Sequence, residues 1–346
     1  MTDTDSIRQG EELPWEKLEK YLRNELPELC RGDFKVAQFH GGHANLTYLL
    51  VFGDQELVLR RPPFGKIAPG AHDMHREYRV LSKLNAAYSP APKAYHFCDD
   101  HSIIGSDFIV MERREGVVIR KKLPSSFGDD IATKERLTDA LMRSCADLHL
   151  VDVAAAGLSE LGKPEGFTQR QLSGWTKRWS LAKTSENPDM EWLVENLPKD
   201  IPAPQRVSIV HGDLKFDNCQ FQPGEPDQVI SVFDWDMATL GDPLIDIAGL
   251  LTYWPDPYLV KMMPSVFLQG EWPDKEYLRQ RYAEYSSLDL GRMDWYEAFA
   301  YFKTAVILQQ LFARYQAGET KDERMAQFGP AVGVFAALGK RKLGRC

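Results

Sequence analysis

The stretch that most constrains this chain is Val210-His211-Gly212-Asp213-Leu214-Lys215-Phe216-Asp217-Asn218. A short apolar run, Val207 to Val210, leads into it, and a second, Val229 to Phe233, ends at Asp234. Read as the two strands of a small hairpin, these runs deliver three polar side chains to one place. Asp213 can accept a proton from a hydroxyl. Asn218 and Asp234 offer hard oxygen ligands of the kind magnesium takes while keeping some of its waters. A turn in which Asp and Asn merely cap backbone groups is the plain alternative, but it leaves the flanking apolar runs unexplained.

HGDLKFDN followed by VFDWD resembles the aminoglycoside phosphotransferase family, the small-molecule branch of the protein-kinase-like fold. Within it, the chain is most similar to the type also found fused to acyl-CoA dehydrogenases. Met237-Ala238-Thr239-Leu240-Gly241-Asp242-Pro243 and Asp246-Ile247-Ala248 fit the same pattern, and the resemblance runs from about residue 34 to the end. It implies an α+β, two-lobe architecture: a small antiparallel-sheet N-lobe and a larger, mainly helical C-lobe. Residues 1–112 would form the nucleotide-binding lobe with a leading helix, and 113–346 the catalytic and substrate-binding lobe. The implied cosubstrates are ATP (GTP is possible) with Mg2+, and a small-molecule hydroxyl acceptor.

Composition is compatible with this and narrows it. A chain of 346 residues can bury a large core. Its net charge of −8 argues against a general nucleic-acid binder, which needs a basic footprint, though not against a local basic pocket. Cys30, Cys98, Cys145, Cys219 and Cys346 are scattered and in no CxxC pair, which reads as reduced thiols rather than a disulfide frame or a zinc site. The polar, acidic N-terminus carries no secretory signal. No apolar run approaches the roughly 20 residues of a membrane span. The expectation is a cytoplasmic protein with neither nucleic-acid nor membrane partners.

Along the chain, Trp15 to Leu26 has helical spacing between Pro14 and Pro27. Phe34 to Phe39 and Thr47 to Phe52 read as strands joined by Gly41-Gly42-His43-Ala44-Asn45-Leu46. Glycines there let backbone approach a ligand closely, although a plain glycine hairpin has the same look. In a kinase-like protein this loop covers the nucleotide phosphates, which makes Gly41, Gly42, His43 and Asn45 cofactor candidates. The third strand, Glu56 to Arg60, supplies Arg60 where protein kinases carry lysine; a guanidinium stays charged and can hold phosphate oxygens in a bidentate way. Strand alternation sends Arg61 to the other face. Ala71 to Asn85 looks helical, and its Glu77 is either the partner of Arg60 or a surface glutamate. Ala94 to Cys98 and Asp107 to Met111 are two more strands. They end at Glu112-Arg113-Arg114-Glu115-Gly116, the implied hinge, where Met111 and Arg113 would meet the nucleotide.

The second half reads as mainly helical: Lys134 to Val151, Thr168 to Trp192, Ile247 to Tyr253 and Trp295 to Tyr315. His149 reads as a structural core histidine. Arg170, Trp175 and Arg178 match a stretch of the resembled branch and either pack on the core or wall the acceptor. The basic tail, Lys340 to Lys342, reads as a solvated end.

Phosphoryl transfer asks a protein mainly to align nucleophile and γ-phosphate and to offset negative charge. The resemblance makes Asp213 the base, Lys215 a cation near the transferred group, Asn218 and Asp234 the magnesium ligands, and Asp236 a shaper of the substrate side. Asp242 and Asp246 read as caps. Gly212 stands where regulated kinases have Arg in His-Arg-Asp, and no long activation loop follows Asp236. A small-molecule kinase is therefore expected. The alternatives are an aminoglycoside O-phosphotransferase, a nucleotide-binding pseudokinase or scaffold, and a protein kinase. Thr168 to Lys183 carries Arg170, Lys177, Arg178 and Lys183 with Trp175 and Trp179 and no acid. That suits an anionic acceptor, such as a hydroxyacyl thioester of coenzyme A or a hydroxy acid.

Overall fold

The computed structural model describes residues 3–41, 45–65, 72–262, 264–320 and 322–344. Two loop candidates, Gly42 and His43, lie outside the described residues. The first part of the chain builds a six-stranded antiparallel sheet in the order β1-β2-β3-β4-β6-β5. Its strands are β1 (Thr4–Asp5), β2 (Phe34–Phe39), β3 (Leu46–Phe52), β4 (Gln55–Arg61), β5 (Ala94–Cys98) and β6 (Phe108–Glu112). Alternation explains the faces: Tyr48, Leu50 and Phe52 on β3 and Leu57 and Leu59 on β4 are buried together with Leu18 and Leu22 of the leading helix α1 (Trp15–Glu25). Thr47 opposite Arg60 and Val58 opposite Met111 fix the register.

Helix α2 (Met74–Leu84) begins where Asp73 accepts a hydrogen bond from the Arg76 N–H at 2.9 Å. It buries Met74, Glu77, Val80, Leu81 and Leu84 along one side, so a carboxylate rides inside an otherwise apolar face. A short helix α3 (His101–Ile104) links β5 to β6. Arg61 is buried on the opposite face from the cleft and donates to the Ile104 carbonyl at 3.2 Å.

After β6 come β7 (Val117–Val118), α4 (Ile131–Leu150), α5 (Phe167–Ala182) and α6 (Pro188–Asn196). The Trp- and Arg-rich stretch 168–192 spans two helices: α5 ends at Ala182, and α6 starts at Pro188, a residue suited to the first turn, with Asn187 capping it at 3.1 Å. Strands β8 (Ser208–Val210), β9 (Cys219–Gln222), β10 (Glu225–Val232) and β11 (Thr239–Gly241) carry the central polar residues. Helices α7 (Leu244–Tyr253), α8 (Lys275–Ser286), α9 (Met293–Gln316) and α10 (Phe328–Leu343) follow.

Two expectations need correction. The run ending at Val210 does not pair with the run ending at Phe233; β8 pairs with β11, while β10 pairs with β9, which pairs in turn with β7. Proximity comes from two neighbouring hairpin-like pairs, not one. The basic tail is not a free end either: it closes α10, where Lys340 pairs with Asp189 at 2.7 Å and Lys342 with Asp294 at 3.1 Å. Among the described residues, no helix is long and apolar enough to cross a membrane. The architecture is α+β, a small antiparallel sheet lobe and a larger helical one.

Candidate active site

The Val210–Asn218 stretch is shaped by its backbone before its side chains. Gly212 sits at φ +91°, and a Cβ there would approach the Met237 Cβ to 3.1 Å, so both conformation and space demand glycine. The loop hangs on Asp246, which is 3 % exposed. Its carboxylate accepts from the His211 N–H at 2.6 Å and the Gly212 N–H at 2.8 Å, and faces His149 Nε2 at 3.3 Å. Burial works against its charge, but the His149 contact and the two backbone donors outweigh that and hold the carboxyl below its ordinary range. Asp246 is therefore no mere cap. Sequence reasoning placed it in the family pattern but missed its load, because nothing local links it to His211. Asp242 does cap, accepting from Leu244 N–H at 3.1 Å, and also from the Tyr296 hydroxyl at 2.6 Å.

His211 is buried, with Nε2 at 3.1 Å from the Phe233 carbonyl and Nδ1 at 3.3 Å from the Asp213 N–H. Those partners assign the proton to Nε2 and make the ring a brace. His149, buried against Tyr282 at 2.8 Å, is the structural histidine expected.

The polar groups then converge. Asp213 Oδ2 accepts from Lys215 Nζ at 2.7 Å and from Asn218 Nδ2 at 2.9 Å. The same amide nitrogen donates to the Asp213 carbonyl at 2.8 Å, which leaves the Asn218 oxygen free for another partner. Burial opposes the charge of Lys215, yet Asp213 more than restores it and raises its pKa. Asp234, two residues past β10, lies in the left-handed region, φ +76° and ψ +56°, an uncommon conformation for a residue other than glycine. Its carboxylate is paired with Arg60. Burial pushes this carboxyl up, but the guanidinium wins and holds it low. Asp236, half-buried beside it, is pushed up by burial and then by Asp234.

On the sheet side, Arg60 Nε lies 3.2 Å from Glu77 Oε2, so the two charges pair as their spacing suggested. With its amide turned to satisfy both ends, Asn45 also accepts from Arg60 Nε at 3.1 Å. Glu77 is pushed up to about 7 by burial, against the pull of Arg60 and with Asp234 and Asp236 adding repulsion. The folded chain thus holds this proton more tightly than the unfolded one, whose carboxyl titrates near 4.5. Its contribution to stability is full below that value and is lost as pH rises through about 7. Glu77→Gln is expected to flatten the fall in unfolding free energy across that window. Denaturant titrations at stepped pH check this, and an unchanged slope would refute it.

These residues share a cleft of about 600 Å³ lined by Gly41, Asn45, Val58, Arg60, Met111 and Arg113 on one side and by Asp213, Lys215, Asp217, Asn218 and Asp234 on the other. Val58 and Met111, cross-strand neighbours, give it an apolar surface. Arg113 pairs with Asp3 at 2.7 Å and lies over the Phe39 ring. Of the acceptor-wall candidates, Trp175 is half-buried with the Arg178 guanidinium 4.4 Å from its ring centroid. Arg170 is turned elsewhere, donating to the Lys163 and Glu165 carbonyls. Two cations escaped sequence reasoning: Arg120, which also lines the cleft, and Lys303 of α9, whose ammonium stands 5.6 Å from the Trp175 ring centroid. Neither sits in a recognisable motif. Among the described residues no three His, Cys, Asp or Glu side chains cluster as a metal cage. One Asn oxygen and one carboxylate facing a polar cleft nonetheless form a donor set that fits magnesium, which rarely uses an all-protein cage.

Comparison with known proteins agrees with this geometry. The chain is 34% identical over 97% of its length to mouse acyl-CoA dehydrogenase family member 10, but spans only 32% of that protein. A crystal structure from Ralstonia eutropha JMP134, assigned provisionally to the aminoglycoside phosphotransferases, superposes with a TM-score of 0.81 at 31% identity, covering 96% of this chain and 99% of that one. The aminoglycoside phosphotransferase APH(4)-Ia, solved with ADP and hygromycin B, has a TM-score of 0.59 at 16% identity, covering 94% and 98%, a likeness of fold. The phosphotransferase enzyme family model matches residues 35–302, the span that holds most of the larger sheet, the Val210–Asn218 stretch and Asp246, and with it the chain belongs to that family.

Proposed function

We propose that this phosphotransferase is an ATP- and magnesium-dependent small-molecule kinase whose acceptor is the hydroxyl of an anionic metabolite, a hydroxyacyl-CoA or a hydroxy acid. One observation carries the reading: Asp213, Lys215, Asn218 and Asp234 line a single cleft with the apolar pair Val58 and Met111. Residues 1–112 would then hold the nucleotide and 113–346 the catalytic groups and acceptor. Asp213 orients the acceptor hydroxyl and takes its proton as the oxygen attacks the γ-phosphorus and the bond to the leaving ADP breaks. Lys215, already 2.7 Å from Asp213 Oδ2, keeps that side chain aimed. Asn218 and Asp234 would hold magnesium, which when bound offsets the charge of the phosphates. Arg60 is then freed from Asp234 to meet phosphate oxygens while Glu77 retains its Nε.

The anionic acceptor is supported by cations of α5 and α9. Lys303 is half-buried, burial lowers its pKa, and the charges felt there include Asp246 and Asp213. Arg178 and Lys303 both pack on Trp175 rather than on acids. Polycationic aminoglycosides need the reverse charge. The family name of the mouse relative, acyl-CoA dehydrogenase, favours a coenzyme A ester by analogy only. A panel read out as ADP release tests this: turnover is expected with hydroxyacyl-CoAs or hydroxy acids, and little with kanamycin. Robust kanamycin turnover with none on the anionic compounds would overturn the acceptor assignment. Nucleotide-induced thermal stabilisation without turnover on any acceptor would favour a scaffold.

A further inference from the structure

We propose that Arg120 is a phosphate-binding cation, holding terminal phosphate oxygens of the nucleotide from the helical lobe against the glycine-rich turn at Gly41. The inference rests on the kinase reading above and adds to it a residue outside every motif. Arg120 follows β7, whose pairing with β9 anchors it beside the catalytic loop. From there its side chain crosses the cleft: a Cβ placed on Gly41 would lie 2.6 Å from Arg120 Nη1 and 3.0 Å from Cζ. The glycine therefore makes room for a guanidinium at the point where loop backbone can approach phosphates.

Arg120 also differs from the other cleft cations, each of which is paired with a carboxylate in this structure. Arg60 holds Glu77 and Asp234, and Lys215 holds Asp213. Arg113 holds Asp3, and Arg114 holds Glu112 at 3.0 Å. Arg120 has neither a hydrogen bond nor an ion pair among the described residues, although the more distant field of Asp217 reaches it. Burial lowers its pKa, so its charge is partly desolvated, with no direct contact to offset this among the described residues. A planar guanidinium in that state fits phosphate oxygens, which it can bind through two N–H groups at once. Its place beside Gly41 favours the nucleotide over the acceptor as the source of those oxygens.

The test compares ATP, ADP and AMP binding to the full chain by calorimetry, with turnover measured in parallel. Arg120→Gln is expected to weaken ATP binding roughly 10- to 100-fold, the range for a lost charge-assisted contact, while AMP affinity stays level. Arg120→Lys should recover part of the loss. Gly41→Ala should weaken ATP in the wild type and add little in the Arg120→Gln background, since both changes remove one contact. A variant that folds and keeps the wild-type preference for ATP over AMP would overturn the proposal. So would a rise confined to the acceptor KM. A wild-type chain that binds no nucleotide would instead overturn the kinase reading itself.

Discussion

Asp213→Asn is expected to lower kcat by roughly 10²- to 10⁴-fold, the range for a lost general base, while ATP affinity changes by no more than a few-fold. The side chain is isosteric and keeps an oxygen facing Lys215 and Asn218, which now bond Oδ2 at 2.7 and 2.9 Å. The shape is kept, while the ability to take a proton is lost and the ion pair with Lys215 is reduced to a neutral hydrogen bond. Asp213→Ala should be as inactive, but for a mixed reason, since it also releases the Lys215 ammonium into the cleft. Lys215 is then free to pair with phosphate, and ATP binding to the alanine variant should if anything tighten. Steady-state kinetics with ADP release, set beside calorimetric ATP binding, separate the two effects. Near wild-type turnover in the asparagine variant would remove Asp213 from the chemistry. Equal losses in turnover and ATP binding would mean that it holds the nucleotide instead.

How much of this was legible before the structure follows from where the information lies. Elements with a local signature were readable: Phe34–Phe39 and Ala94–Cys98 are strands at the bounds their sequence implies. The pairing of Arg60 with Glu77 was readable too, because a strand end and the helix that follows it have few ways to meet. Features set by tertiary pairing were not. Strand β8 could have paired with either neighbour, and only the fold selects Thr239–Gly241. Helix α10 reads as ordinary basic tail until Asp189, Asp294 and Glu297 are brought beside it from other helices. Arg120 and Lys303 are single cations in unremarkable surroundings. Their interest comes from the lack of an ion-pair partner among the described residues, and a sequence does not show that.

The same distinction separates the two kinds of acid in the site. Asp213, Asn218 and Asp234 face the cleft and announce themselves through spacing. Asp246 faces inward, so its work is done on backbone that any sequence would supply. Its importance can only be argued from hydrogen bonds: two N–H groups of the catalytic loop and one ring nitrogen end on a single carboxylate.

Asp246→Ala should therefore be costly to both stability and activity. Removing the carboxylate leaves the His211 and Gly212 N–H groups and His149 Nε2 buried without their acceptor, each such loss costing about 1–3 kcal/mol. Non-additivity and water entry will reduce the sum, so a loss of roughly 3–5 kcal/mol is expected, the scale seen when one partner of a buried network is removed. Asp246→Asn keeps one acceptor oxygen but turns an NH2 toward a backbone donor, so it should fall between wild type and alanine. The activity loss has a separate origin. Gly212 holds φ +91° only while its N–H is anchored, and Asp213 takes its direction from that turn. At temperatures where the asparagine variant remains folded, kcat should still drop by about tenfold or more, with ATP affinity little changed, because misplacing a catalytic group by a fraction of its contact distance is enough. Urea titration and kinetics at matched folded fraction check the two halves separately. A variant that loses stability but keeps full kcat when folded would make Asp246 a core residue only; one that loses neither would show that other contacts hold the loop.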